Sequence, residues 1–353
     1  MGINRAVMIT KCSADLKNKK MQTILKAAIT ALLLIPGACA VAQQNIQFSQ
    51  YVFNGLSVNP AYAGYKEDLY LNATYRHQWA GFPGAPRTGS ISLDGVTPAS
   101  EGRVGLGGQV LFDKLGPQES LAFYGSYSYR IPLDAENTRR ICFGIGAGVT
   151  QYSIDGSALQ YMDNDDQAIP TGKTSTWVPD ARFGIYYYTS KFYAGVAVMD
   201  LFSLYSDASR YNWKGNNYST IRKTQHMYLT AGTVFQLGEG LQLKPSFLLK
   251  EDFKGPTNLD LNAFLLIGEK LWIGGSYRTN VNIWKKTGLQ RDLEEQNAAS
   301  AMVEFYATPQ LRIGYSYDLN VNRMAGYQGG SHEMSIGYLI PSKKFTLQNP
   351  RYF

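Results

Sequence analysis

The stretch ICFGIGAGVT, residues 141–150, alternates between two kinds of side chain. Ile141, Phe143, Ile145 and Val149 are apolar, whereas most of the intervening positions are glycine or polar. A period of two places all the apolar side chains on one face of a β-strand. A run of roughly ten residues can cross a lipid bilayer at a tilt, whereas strands of soluble proteins are commonly about five or six residues long. The stretch therefore predicts a membrane-spanning strand.

The same alternation recurs from about Leu69 to Ile340. Leu311–Asp318 and Ser120–Arg130 are two further examples. We predict fourteen such strands, an even number, as expected of a bacterial outer-membrane barrel. They lie near residues 69–78, 88–96, 103–114, 120–132, 140–154, 177–188, 191–199, 225–235, 241–252, 258–267, 271–278, 298–307, 311–318 and 330–340.

The lengths of the connections alternate as well. The even-numbered connections are all short, and every long one is odd-numbered, near 155–176, 200–224, 279–297 and 319–329. Short periplasmic turns that alternate with longer outer loops are expected when both termini are periplasmic. We therefore predict an all-β protein with a single transmembrane antiparallel β-barrel over residues 69–340, periplasmic termini and long extracellular loops.

Composition separates this fold from a soluble β-sandwich, whose strands also alternate. The chain has 25 tyrosines, 16 phenylalanines, 5 tryptophans and 35 glycines, and only 17% of its residues are charged. Soluble domains usually carry about a quarter charged residues. Tyrosines cluster near strand ends, where aromatic girdles lie in barrels, and the non-apolar face is rich in Gly, Ser, Asn and Arg, as a polar lumen requires.

Residues 1–42 predict a secretory signal peptide. A lysine-rich region precedes an apolar run over residues 27–35, and Ala40-Val41-Ala42 matches a small-x-small cleavage pattern before Gln43. Met21 is an alternative start. A lipoprotein anchored at Cys39 is the competing interpretation, but the usual leucine three positions earlier is absent.

The basic charge of the chain lies mostly in that leader. Removing its six basic residues and one acidic residue from the 34 basic and 27 acidic residues of the whole chain lowers the net charge from +7 to +2. The mature chain thus offers no case for nucleic-acid binding. It keeps one cysteine, Cys142, so no internal disulfide can form.

Two segments flank the predicted barrel. Residues 43–68 are turn-rich, and we expect a periplasmic segment that acts as a partial plug in the lumen. The alternative, that residues 43–68 are disordered, is less consistent with their many apolar side chains, which include Phe48, Tyr51, Phe53, Leu56 and Tyr62. Residues 341–353 are predicted to form a periplasmic C-terminal tail, whose terminal Phe353 suits recognition by barrel-assembly machinery.

The sequence shows no pattern that predicts catalysis, a cofactor or a metal. His77, His226 and His332 fall on separate strands without metal-ligand spacing, and no nucleophile motif is present. An acidic group at Asp163, Asp165 and Asp166 lacks the glycine of a calcium loop and suggests a solvated loop instead. Glycines such as those of 144–148 occupy alternate strand positions, which favours close strand packing or lumen clearance over a phosphate loop.

Several motifs stand in order along the mature chain. The first are QFSQYVFNGL (47–56), NPAYAG (59–64), YRHQWAGF (75–82) and GAPRT (84–88). Later ones are KPSFLLK (244–250), DLN (260–262), the stretch from Trp272 to Arg278, GYSYD (314–318) and GSHEMS (330–335). Together they strongly resemble the PorP/SprF family of type IX secretion system membrane proteins, found in Bacteroidota. Val52 and Met334 depart from the family, which often has Met and Ile there.

The resemblance implies a non-enzymatic outer-membrane component of type IX secretion. Its partners would be outer-membrane lipid, a periplasmic ring lipoprotein, a peptidoglycan-binding linker protein, and secreted cargo or a surface adhesin bearing a C-terminal sorting domain, including gliding adhesins. Cargo would meet the extracellular loops, and periplasmic partners would meet residues 43–68, the short turns and the tail. The candidate partner-binding or structural residues are Phe48, Gln50, Tyr51, Asn54, Asn59, Pro60, Tyr62, Gly64, Arg76, Gln78, Trp79, Phe82, His332 and Glu333.

Alternatives remain for these residues and for the function. We favour the interpretation that the motif residues pack and form turns over the interpretation that they contact partners. A porin-like or small-solute channel is the alternative function, and an outer-membrane lipase or protease is a third. The low charge of the predicted inward face favours a plugged lumen over an open, charge-lined channel.

Overall fold

The computed structural model describes residues 46–158, 172–204, 210–212, 219–222, 224–253, 255–284, 286, 298–321 and 329–341. Its strands β1 to β17 are, in chain order, Leu69–His77, Arg87–Val96, Val104–Leu115, Gln118–Pro132, Arg140–Asp155, Lys173–Tyr188, Phe192–Met199, Arg210–Asn212, Ser219–Arg222, His226–Thr233, Phe235–Gly238, Leu241–Glu251, Thr257–Ile267, Leu271–Val281, Ala298–Tyr306, Leu311–Asn320 and Ser331–Ile340. In the part of the chain that is described, no helix is long and apolar enough to cross a membrane.

The strands form one closed antiparallel barrel. Each barrel strand pairs with the next along the chain, and β1 pairs with β17 from Leu69 opposite Ile340 to His77 opposite His332. β10 and β11 both pair with β12 and make one bent strand, so the barrel has fourteen strands. The predicted fold class and strand number are confirmed.

The bend between β10 and β11 has a local cause. Gly232 faces Ser246 and Phe235 faces Leu243, so the same register places Thr233 opposite Pro245. Proline has no backbone N–H to donate to a ladder. The predicted strand 225–235 is therefore divided into two pieces.

One pair of strands was not predicted. β8 and β9 form a short antiparallel hairpin of their own within the predicted loop 200–224. These strands have only three and four residues, too few for a period of two to stand out from the loop around them. Several barrel strands also extend a few residues into the predicted loops, and β6 begins at Lys173 rather than near residue 177.

The alternation of side chains runs in the direction predicted for a membrane barrel. Apolar side chains face outward and are exposed, as at Ile145 (60%) and Met334 (59%). Inward positions carry polar groups that are buried, as at Lys244 and Glu333, both 0% exposed. This is the opposite of a soluble protein, because the outer surface is solvated by lipid and the polar groups pair inside.

The two ends of the barrel differ. At the end where β1 begins and β17 ends, the connections are short, as between Tyr188 and Phe192 or between Ile267 and Leu271. We call this the short-turn end and the opposite one the long-loop end. Which end faces the cell exterior stays a prediction.

Candidate functional site inside the barrel

Residues 46–68 lie inside the barrel and run from one end to the other. At the long-loop end, Gln47 lines a small pocket together with Lys250, near the end of β12. At the short-turn end, Glu67 lies 3.2 Å from Arg130 of β4. The chain between them is carried by three 3₁₀ turns, Ser49–Phe53, Gly55–Ser57 and Pro60–Tyr62.

Glu333, in β17, anchors the first turn of this segment. Its carboxylate accepts the backbone N–H groups of Ser49 and Gln50, each at 2.8 Å. Arg76 of β1 lies 3.0 Å from the same carboxylate and 2.6 Å from Asp318, which also accepts the hydroxyl of Ser49. All of these residues are buried. Buried carboxylates require such donors and an opposite charge, because their desolvation is otherwise very unfavourable.

This cluster joins four of the sequence motifs. Ser49 and Gln50 belong to QFSQY, Arg76 to YRHQW, Asp318 to GYSYD and Glu333 to GSHEMS. The strand pairing of β1, β16 and β17 brings the last three together. Motifs separated by up to 285 positions, as in the bond between Ser335 and Gln50, therefore meet in one hydrogen-bonded group.

A second polar group surrounds Tyr51. Asn262 donates its side-chain N–H to the Tyr51 hydroxyl at 2.6 Å. Next to it, Asp260 pairs with Lys250 at 3.0 Å and with Arg278 at 2.8 Å.

Aromatic contacts hold the middle of the segment. The Phe53 ring meets Phe264 edge-on at 5.1 Å and lies 6.2 Å from Trp272. The ammonium of Lys244 lies 5.0 Å from the centre of the Phe53 ring, a cation–π contact without solvent, since Lys244 is fully buried. Asn54 follows and donates to the side chain of Asn72 at 3.0 Å. Nearer the long-loop end, Phe48 packs in a cluster with Leu111, Ala122 and Tyr124.

Asn59 attaches the segment directly to the backbone of the wall. Its amide donates to the carbonyls of Ile185 at 3.0 Å and Val196 at 3.3 Å. Its side-chain oxygen accepts the N–H of Ala61 at 2.9 Å and so begins the third 3₁₀ turn. The approach is possible because Gly184 has no side chain: a Cβ there would lie 2.1 Å from Asn59 Oδ1.

Two further inward-facing glycines leave room for the segment. A Cβ on Gly144 would lie 2.2 Å from the nitrogen of Ala61 and 2.5 Å from the carbonyl carbon of Pro60. A Cβ on Gly105 would lie 2.0 Å from the carbonyl oxygen of Ala63. The sequence predicts either close strand packing or lumen clearance as the reason for the alternating glycines. At Gly105 and Gly144 the reason is lumen clearance.

The segment turns into β1 at the short-turn end. Gly64 has a φ of +78°, a conformation that favours glycine, and its N–H donates to Asp94 at 2.8 Å. Tyr62 and Tyr65 stack with their ring centres 4.9 Å apart.

Four candidate residues lie away from the lumen, at the long-loop end. Trp79 has a φ of +51° and donates its N–H to Ser331, and Gln78 donates its own to the carbonyl of Pro86. Phe82 is exposed. His332 lies on the outward face of β17, and its Nδ1 lies 2.7 Å from the Tyr315 hydroxyl. The predicted residues therefore divide into a lumen group of ten and a long-loop group of four.

Other residues that line the lumen were not among the candidates, although Lys244, Asp260 and Asp318 belong to motifs quoted above. Asp318, Asp260, Lys244, Glu304 and Arg312 are buried, and Arg312 pairs with Glu304 at 2.7 Å. Each stands at an inward position of its strand. A charged residue at an inward strand position was the signal in the sequence that could have identified them. The strand pattern does not show, however, which of these residues contact each other.

The described residues contain no candidate metal site. Among them, no cluster of three or more His, Cys, Asp or Glu side chains could hold a metal ion. His226 pairs with Asp200 at 3.2 Å, and Cys142 is buried. Asp163, Asp165 and Asp166 lie outside the described residues. Charged side chains of the wall neutralise one another in buried pairs, and the wall holds residues 46–68 by hydrogen bonds and aromatic contacts.

Solved structures with a similar barrel are outer-membrane proteins. They include Omp33 of Acinetobacter baumannii (9% identity, TM-score 0.42, covering 78% of this chain and 98% of that one) and a FadL homologue of Pseudomonas aeruginosa (12%, 0.42, 79% and 92%). The CymD monoaromatic hydrocarbon channel has 12% identity and a TM-score of 0.47, over 82% of this chain and 93% of its own. At such values the likenesses say nothing about what this chain binds or transports. No curated protein sequence matches the chain significantly.

The sequence itself matches a family model. The model for the type IX secretion system membrane protein PorP/SprF covers residues 40–338, which is most of the chain and includes both residues 46–68 and the barrel strands to β17. With a closed barrel whose exposed face is apolar, this match supports a location in the outer membrane. The chain belongs to the PorP/SprF family of type IX secretion system membrane proteins.

Proposed function

We propose that this protein is a non-enzymatic docking component of type IX secretion. It would bind cargo that carries a C-terminal sorting domain, such as a gliding adhesin, and help to export or anchor it at the surface. On the other side it would dock on the periplasmic ring lipoprotein and the peptidoglycan-binding linker protein.

The occupied lumen is the observation that most favours docking over transport. Residues 46–68 hydrogen-bond to inward groups of β17, β13, β6 and β2, through Glu333, Asn262, Ile185 and Asp94. Most of the charged groups around them are neutralised in buried pairs. In a water-filled, charge-lined pore, these charged groups would instead face water. A porin-like channel, the alternative, needs a continuous aqueous path through the barrel. Residues 46–68 lie across that path.

The two ends of the barrel would then serve different partners. In the predicted orientation the long-loop end meets cargo, and the short-turn end meets the ring and linker proteins. Exposed apolar side chains suitable for probing exist at both: Phe202 in the connection after β7 and Leu133 in the turn after β4.

The proposal is tested by affinity purification from cell envelopes in mild detergent, with identification of the copurifying proteins. Recovery of ring or linker lipoproteins together with a large sorting-domain protein is expected. Phe202→Glu should reduce recovery of the cargo and leave the periplasmic partners, whereas Leu133→Glu should do the reverse. Heat-modifiable migration in detergent gels confirms that each variant is a folded barrel. A clean, ion-conducting barrel without partners would refute docking and support the channel.

A further inference from the structure

Basic side chains form a row on the outer surface at the long-loop end. The register places His332 opposite His77, His77 opposite Arg87, and Arg87 opposite Lys114. All four stand at outward positions, as the exposed apolar residues Met334, Tyr75, Ile91 and Phe112 on the same strands show. Neighbouring strands are about 4.8 Å apart, so the row extends roughly 15 Å along the rim.

The row carries excess positive charge at Arg87. Glu119 lies next to Lys114, but it is shared between Lys114 at 2.7 Å and Lys173 at 2.6 Å, and Asp155 faces Lys173 from β5. These acids therefore balance the lysines. Among the described residues Arg87 has no carboxylate partner, although its guanidinium is exposed.

A pocket of about 320 Å³ lies beside this charge. His77, Arg87 and Lys114 line one part of it, and the turn Phe82–Ala85 and Gly116 line the rest. The two turns are joined by a hydrogen bond from the N–H of Gly116 to the carbonyl of Gly84, at 3.0 Å. None of the residues that line the pocket is acidic, so it is basic, and it lies at the long-loop end of the strands.

An apolar groove lies on the same strands, further into the membrane band. It has a volume of about 480 Å³ and is lined by Ile91, Leu93, Val110 and Phe123. Its floor is formed by two glycines opposite each other in register, Gly108 and Gly125, and a Cβ on Gly108 would meet nothing within 4 Å. Arg87 and Ile91 are four residues apart on β2, or roughly 13 Å at about 3.3 Å per residue.

We propose that this face of β1–β4 binds one phosphate-bearing lipid of the surrounding membrane. The phosphate would lie between Arg87, Lys114 and His77, and an acyl chain would fill the groove over Gly108 and Gly125. Charge complementarity selects an anionic headgroup, and the distance between pocket and groove matches a headgroup joined to acyl chains. In the orientation proposed above, this lipid belongs to the outer leaflet.

Native mass spectrometry of the purified barrel in detergent tests the site, with bisphosphorylated lipid A as the probe. The wild type should retain one lipid A, and the double variant Arg87→Ala/Lys114→Ala should retain it roughly tenfold less well, since each basic group near an anionic headgroup contributes to binding. Gly108→Leu, whose Cβ would meet nothing within 4 Å and whose side chain would occupy the groove, should also lower retention. Arg139→Ala/Lys270→Ala, at the short-turn end, is the matched control and should behave as the wild type.

Three results would overturn the inference. The first is a wild-type barrel that retains no lipid A. The second is retention by Arg87→Ala/Lys114→Ala equal to that of the wild type. The third is equal retention of dephosphorylated lipid A, which would mean that the phosphate is not recognised. None of them bears on docking, because partner capture is read separately.

Discussion

The Glu333 carboxylate accepts the backbone N–H of Ser49 at 2.8 Å, across 284 positions of the chain. Glu333 belongs to the last strand, and Ser49 lies before the first one. The bond therefore ties the segment in the lumen to the seam where β17 and β1 close the barrel. Because Arg76, across that seam, pairs with the same carboxylate, the segment and the closure depend on one buried charge.

Removing that charge should weaken the barrel. In Glu333→Ala the two N–H groups lose their acceptor, and Arg76 keeps Asp318 as its carboxylate partner, along with the Ser49 hydroxyl. Breaking a buried ion pair commonly costs about 3–5 kcal/mol, and the remaining partner of Arg76 should place this variant at the lower end. We expect the heat-modifiable band shift at a lower temperature, with a smaller decrease for Glu333→Gln. Glu136→Gln, in an exposed turn, serves as the control; a Glu333→Ala barrel as heat-resistant as that control would contradict the prediction.

A methyl group at Gly184 should displace the lumen segment. The added Cβ would lie 2.1 Å from Asn59 Oδ1, so Asn59 must leave the carbonyls of Ile185 and Val196. Limited proteolysis of Gly184→Ala should cut within residues 46–68 at protease concentrations that leave the wild type intact. Gly238→Ala, where a Cβ meets nothing within 4 Å, should show the wild-type pattern. Equal protection of both variants would mean that the contact is not needed.

Loss of the lumen segment should open a conducting path. Deletion of residues 46–64 removes the groups that cross the barrel interior but leaves the strands and the buried pairs Arg76–Glu333 and Arg312–Glu304. In planar bilayers the wild type should show little conductance and the deletion variant stepwise channels. Heat-modifiable migration shows whether the deleted form is still a closed barrel. Large channels from the wild type itself would exclude a lumen closed by this segment.

Residues 46–68 should be accessible from the side of the long loops, where they begin. Gln47 lies beside Lys250 at that end and is only half-buried. In the predicted orientation this is the outer side, not the periplasmic side predicted for residues 43–68. Labelling of intact cells with an impermeant maleimide should modify Gln47→Cys and Ser157→Cys, which share the long-loop end, but not Ala135→Cys at the short-turn end. The native Cys142 is buried and gives little background. Labelling of Gln47→Cys only in opened cells, together with Ala135→Cys, would place this part of the chain at the opposite end.

Much of the barrel could be predicted because each strand carries its own signal. Ile145 and Met334 face lipid and Lys244 and Glu333 face the interior, as a period of two requires. The bend at Thr233 was missed, since it depends on Pro245 in the neighbouring strand, and so was the short hairpin of β8 and β9. Most of the candidate residues were marked by their motifs, but nothing in a motif says that Ser49, Arg76, Asp318 and Glu333 form one cluster.

The kind of protein, and the inward or outward direction of most wall side chains, follow from the sequence alone. Alternation along each strand decides which side chains meet lipid, and the alternating lengths of the connections support the strand count and predict the orientation. The tertiary structure alone decided the path of residues 46–68 and the pairs that hold it. A period of two places a charge inside the barrel, but its partner lies across the lumen or on a strand far away in the chain. Only the closure of β1 against β17 brings Arg76 to Glu333 and creates the acceptor that Ser49 binds.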